Sequence, residues 1–136
     1  MTARRVQRAA TAGPRPEPSR GDAGRDLALR IAQVVREKKG EDLVLLDLRP
    51  LDAVTDFFLF VTGLSETQVK AIAEHVRETM AAEGVRAWHV EGLEHRRWVL
   101  IDFVDVVVHV FHPETRSYYL LERLWGDATP VPLPED

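Results

Sequence analysis

A chain of 136 residues with 45% hydrophobic and 29% charged content is one domain by size, long enough for a single core and too short for two. It has no cysteine, which excludes disulfides, thiolate metal sites and cysteine nucleophiles, and no apolar run near the roughly 20 residues that span a bilayer. The net charge of -4 divides unevenly: residues 1–25 hold six arginines against Glu17 and Asp22, net +4, leaving 12 Lys+Arg against 20 Asp+Glu in the remainder, net -8.

An acidic body is poorly suited to phosphate-driven or sequence-specific nucleic-acid binding and better suited to a basic protein partner.

Residues 1–25 are rich in Arg, Ala, Pro and Gly and nearly free of large apolar side chains, so they read as a disordered basic tail. From Asp26, Leu27, Ile31, Val34 and Val35 recur on one helical face opposite Arg30, Arg36, Lys38 and Lys39, and Gly40 stops the helix. Leu43–Arg49 and Asp56–Thr62 are interior-strand candidates joined by a turn through Pro50 and Asp52.

Ser65-Glu66-Thr67-Gln68 is a capping box and opens a helix whose buried stripe is Val69, Ile72, Ala73, Val76 and Met80, ending at Gly84. Trp88–Glu91 is a short strand before Gly92. Trp98–Ile101 and Val106–Phe111, separated by little more than Phe103-Val104-Asp105, form a hairpin whose second strand is apolar on both faces and therefore central. Pro113 then starts a helix carrying Tyr118, Leu121 and Trp125 at helical spacing. Residues 128–136, proline-rich and acidic, read as a flexible tail.

Residues 26–127 are thus expected to form one α/β (α+β) domain: a five-stranded mixed sheet covered by helices, antiparallel at its hairpins and parallel across the helical crossover.

The sharpest enzymatic reading is nucleotidyl transfer, with Gly63 and Ser65 at a helix start and the carboxylates of Asp102 and Asp105 holding metal. Such sites need two carboxylates on one strand face, two residues apart, whereas these are three apart across a turn. Helix capping by Ser65 and turn formation by the aspartates explain them better. The five histidines show no metal-ligand spacing, and no Gly-x-Ser-x-Gly elbow or phosphate-cradling glycine loop occurs. A non-enzymatic chain needing no cofactor or metal is the expectation.

Late aromatics interleaved with acids suit a patch for a basic protein surface; Leu121 and Trp125 are expected in the core, and for Trp98 and Tyr118 core and surface stay open.

Asp47-Leu48-Arg49, Thr55-Asp56-Phe57-Phe58, Val61-Thr62-Gly63-Leu64-Ser65, Ala71–Val76, Glu91-Gly92, Trp98–Asp102, Val106–Phe111, and Arg116 with Tyr118, Tyr119, Leu121, Glu122, Leu124 and Trp125 together resemble the ribosomal silencing factor (Iojap) family, over about Asp26 to Asp127. The resemblance implies a nucleotidyltransferase-like fold without that active site. It also implies a cytoplasmic translational repressor that docks on large-subunit ribosomal protein fourteen and blocks joining with the small subunit.

On this resemblance Trp98, Asp102 and Asp105 belong to the docking surface, flanked by Glu91, Tyr118, Tyr119 and Glu122. Family members often have an aromatic-glycine-aspartate turn where this chain has Phe103-Val104-Asp105, so the turn is expected to differ. The rival readings are a divergent nucleotidyltransferase acting through Asp102 and Asp105, and a homodimer pairing through the edge near Trp88–Glu91.

Overall fold

The computed structural model describes residues 13–119 and 126–134, with the side chains of residues 117–119 outside that description. In chain order the elements are α1 (Ala23–Glu37), β1 (Glu41–Asp47), a 3-10 turn (Arg49–Leu51), β2 (Phe57–Thr62), α2 (Glu66–Ala82), β3 (His89–Glu91), β4 (Trp98–Asp102), β5 (Val106–Phe111), α3 (Pro113–Tyr119) and β6 (Thr129–Val131).

The sheet has six strands in the order β3-β4-β5-β2-β1-β6. Among the described residues only β2 and β5 run parallel, joined through α2 and the β3-β4 hairpin; the other described pairs are antiparallel.

The sixth strand corrects two expectations at once, the five-strand count and the loose segment 128–136. Thr129, Pro130 and Val131 pair with Asp47, Leu46 and Leu45 of β1. Pro130 fits because β6 is an edge, where a missing N–H can face away from the ladder.

Alternation along β5 explains why it sits at the centre. Val106, Val108 and Val110 join one core with Ile31, Val34 and Val35 of α1 and Val69, Ile72 and Val76 of α2. Phe111 turns to the opposite face, where it packs with Leu46, Leu48, Phe60 and the half-buried Trp98. All six β5 residues are buried. The two long helices therefore cover one face, and α3 lies against β5.

The local signals account for the helix ends. Ser65 is the N-cap of α2, its Oγ accepting from the Gln68 N–H at 3.1 Å, and the Gln68 side chain accepts in return from the Leu64 N–H at 2.7 Å. At the end of α1 the left-handed residue is Lys39, with φ 61°, one place before the expected Gly40. Gly40 is needed for space, since a Cβ there would meet Val35 and Val61 side chains.

The β4-β5 turn contains Val104 at φ 74°. Despite the valine, its backbone is in the left-handed region that glycine adopts freely, a costly place for a β-branched residue. Val104→Gly is expected to raise stability by about 1 kcal/mol, after the entropy of the freer unfolded chain is set against the relieved strain. Urea denaturation checks this, and a lower midpoint for the glycine chain would show that the valine is unstrained.

Candidate docking surface

Cross-strand register assembles the sheet face turned away from α1 and α2. Glu91 pairs with Leu100, Leu100 with His109, His109 with Phe60, and Phe60 with Val44, making one row across five strands. A second row runs from His89 through Asp102, Val107 and Phe58 to Leu46. Trp98 stands opposite Phe111 at the far end of β4, ~13 Å from Asp102 along the strand. Glu91, Trp98 and Asp102 therefore share this face.

His109 is the hub of its aromatic layer. Its ring lies 5.1 Å from Phe60 and 6.0 Å from Phe111, both stacked, and meets Phe58 edge-on at 4.8 Å. The Trp98 indole N–H donates to His109 Nδ1 at 3.1 Å, and Trp98 stacks on Phe111 at 5.3 Å. An accepting Nδ1 requires the neutral ring, and burial favours that form by pushing the His109 pKa down to about 3. The Val107, His109, Phe111 alternation is the sequence signal that sends this histidine inward.

A pH dependence follows. The folded state keeps His109 neutral while the unfolded chain binds a proton near pH 6.5, so this stability is fully present above about pH 6.5 and is lost as pH falls toward about 3. Between pH 6 and 5 the expected slope from this residue is about 1.4 kcal/mol per unit. Urea unfolding across that interval should show it in the unaltered chain and show a shallower slope in His109→Leu. Parallel slopes in the two chains would mean that the ring is not held neutral.

Two of the expected docking residues lie beneath the surface. Glu91 is 4% exposed and Asp102 7% exposed. Glu91 Oε2 approaches His89 Nε2 at 3.2 Å, although neither atom has a hydrogen bond of acceptable geometry. Asp102 is engaged on both oxygens: Oδ1 accepts from the Val104 N–H at 2.7 Å and from Arg15 Nη2 at 2.9 Å, and Oδ2 accepts from Arg15 Nε at 2.8 Å. Asp105 is half-buried and accepts from the Ser19 N–H at 2.7 Å. Glu122, Leu121 and Trp125, and the side chains of Tyr118 and Tyr119, lie outside the described residues.

The arginine on Asp102 also alters the reading of residues 1–25. Residues 13–22 run over the end of the sheet where β1 and β4 finish and β2 and β5 begin, and Asp47, Asp56, Asp102 and Asp105 gather at that end. Pro14, Pro16 and Pro18 favour an extended backbone in isolation, which lowers the entropy lost on ordering, and Pro18 is buried. Composition shows low apolar content here; the carboxylates that hold the segment are distant in sequence.

Asp47 belongs to a separate pair at this end. Hydrogen bonding from the Arg49 guanidinium holds its carboxyl below the usual carboxylate range. Asp102 and Asp105 flank the turn and bind different groups of the N-terminal segment, while Ser65 caps α2 at the opposite end of β2. Those three residues do not converge as the nucleotidyl-transfer reading requires. Among the described residues no group of three His, Asp or Glu gathers as metal ligands, and no helix is long and apolar enough to cross a membrane.

A family model described as "Ribosomal silencing factor during starvation" matches residues 22–136. The chain belongs to the ribosomal silencing factor family. It is 44% identical over 111 residues to "Ribosomal silencing factor RsfS" of Halalkalibacterium halodurans, covering 82% of this chain and 95% of that protein. It is 47% identical over 92 residues to the Bacillus subtilis protein of the same name, covering 68% and 78% respectively.

Among solved silencing-factor-like folds, a Bacillus halodurans crystal structure superposes with a TM-score of 0.72 at 42% identity, over 80% of this chain and 99% of that one. The silencing-factor match begins at Asp22, so Arg15, Ser19 and Arg20 precede it.

Proposed function

We propose that this chain is a translational repressor that binds the large ribosomal subunit through ribosomal protein fourteen and blocks small-subunit joining by occupying the joining face. Family membership supports ribosome-associated regulation of translation. The observation that carries the finer reading is the sheet face opposite the two long helices, where half-buried Trp98 lies over the aromatic layer at one end and the carboxylates of Asp102 and Asp105 gather at the other.

An anchor of this kind suits a basic protein: the ring supplies apolar contact, and the carboxylates at the rim steer approach. Trp98, Tyr118 and Tyr119 are assigned to direct contact, Asp102, Asp105 and Glu122 to the charged rim, and buried Glu91 to holding β3 in place.

The action is by occupancy in the cytoplasm, with no cofactor and no bond made or broken. The mixed sheet serves as a nucleotidyltransferase-like scaffold turned to binding. Since β3 is the last strand of its side of the sheet, a second copy can pair there, and light scattering tests that arrangement.

The deciding experiment is sucrose-gradient sedimentation of the chain with isolated large and small ribosomal subunits, separately and then together under magnesium that favours joining. Comigration with the large subunit and a smaller joined-ribosome peak are expected. A chain that stays at the top of the gradient with both subunits overturns the proposal.

A further inference from the structure

Residues 13–22 form a strap, and it is fastened to the acidic end of the surface assigned above to a basic partner. Arg15 makes a forked pair with Asp102, with Nε to Oδ2 at 2.8 Å and Nη2 to Oδ1 at 2.9 Å. The same guanidinium reaches the Val104 carbonyl at 2.7 Å and the Val54 carbonyl. Five residues later Arg20 repeats the pattern on Asp56, whose carboxylate is fully buried: the Arg20 N–H donates to Oδ2 at 2.7 Å and Nη1 to Oδ1 at 3.3 Å. Between them the Ser19 N–H donates to Asp105 Oδ1 at 2.7 Å.

We infer that this strap is an intramolecular competitor, which holds the acidic end of the docking surface closed until a basic partner displaces it. The inference rests on the docking reading given above. Three features support it.

The strap presents to Asp102 and Asp105 the donors a basic protein would present, a planar guanidinium and a backbone N–H, so strap and partner use the same carboxylate acceptors. Its attachment is polar and peripheral except for Pro18 and the Asp56 contact, which makes release far easier than unfolding of the sheet. Its anchoring residues Arg15, Ser19 and Arg20 also lie outside the segment matched by the family model, which begins at Asp22. By linkage, whatever the strap contributes to holding the site closed is subtracted from the partner's affinity, and partner binding weakens the strap by the same factor.

The experiment uses the full chain and Arg15→Ala, each titrated against isolated large ribosomal subunits, with hydrogen exchange followed by mass spectrometry on the unaltered chain. Arg15→Ala is expected to bind roughly five- to tenfold more tightly, as befits loss of one forked arginine-carboxylate pair. The Ser19 and Arg20 amides, protected by Asp105 and Asp56 in the free chain, are expected to lose protection when the subunit is added.

Equal or weaker binding by Arg15→Ala, with the two amides still protected in the complex, overturns the competition and leaves the docking reading intact. Failure of both chains to bind overturns the docking reading and the competition with it. Should Arg15→Ala fold poorly, the exchange measurement on the unaltered chain decides alone.

Discussion

Trp98→Ala is expected to weaken binding to isolated large ribosomal subunits by roughly thirty-fold or more, the loss typical of a single aromatic anchor at a protein interface. The fold should survive. Trp98 is half-buried, so truncation removes its stack on Phe111 and its bond to His109 while leaving the main core around β5 untouched. A stability cost of about 2 kcal/mol is expected, below that of truncating a fully buried tryptophan. Trp98→Phe separates the two roles, because it keeps a ring against Phe111 and loses only the indole N–H; it should retain most of the affinity. Titration against large subunits, with urea denaturation in parallel, reads both quantities. Unchanged affinity in Trp98→Ala would remove the residue from the docking surface, and a chain already unfolded in buffer would make it part of the core.

The second large effect is expected at Gly92, in the turn between β3 and β4. It has φ 92°, and a Cβ built there would stand 2.1 Å from the Trp98 carbonyl oxygen, a backbone atom that cannot swing aside. Gly92→Ala should destabilise the chain by about 3 kcal/mol or more, through steric overlap added to the strain of a left-handed backbone. Gly84 supplies the contrast: its φ is 89°, but a Cβ there meets nothing within 4 Å. Gly84→Ala should therefore cost only about 1 kcal/mol. Equal urea midpoints for the two variants would show that the turn yields and that close approach at Gly92 is unimportant. A displaced Trp98 should also make Gly92→Ala a poor binder, linking the turn to the docking surface.

Elements with local causes were legible in the sequence. The α2 start was readable because Ser65 and Gln68 satisfy helix-end groups within four residues, and the β4-β5 hairpin because its two apolar runs are separated by only a short turn bounded by Asp102 and Asp105. What escaped depends on remote partners. β6 is three residues with a central proline, and only the edge of β1, more than 80 residues earlier, makes it a strand. The strap is similar, since RPEPSR looks structureless until Asp56, Asp102 and Asp105 are placed beside it.

The docking surface was legible as residue chemistry but less so as depth. Trp98, Glu91 and Asp102 do share a face, yet no alternation pattern distinguishes a carboxylate on the surface from one buried under an arginine or beside a histidine. His109 is the opposite case. Its neighbours two places away are both apolar, which was enough to place it inward, whereas its neutral state depends on the Trp98 indole and three phenylalanines brought in by β2, β4 and β5.

The pairing of β6 with β1 also has a consequence for synthesis. β1 is made first and its outer edge remains unpaired until Thr129–Val131, more than 80 residues further along the chain, have emerged. During that interval the nascent chain displays hydrogen-bonding groups along Leu45, Leu46 and Asp47, a template for pairing with other chains. Thr129–Val131 thus act as an aggregation guard, and products of premature termination before Thr129 carry an open edge that the paired sheet does not.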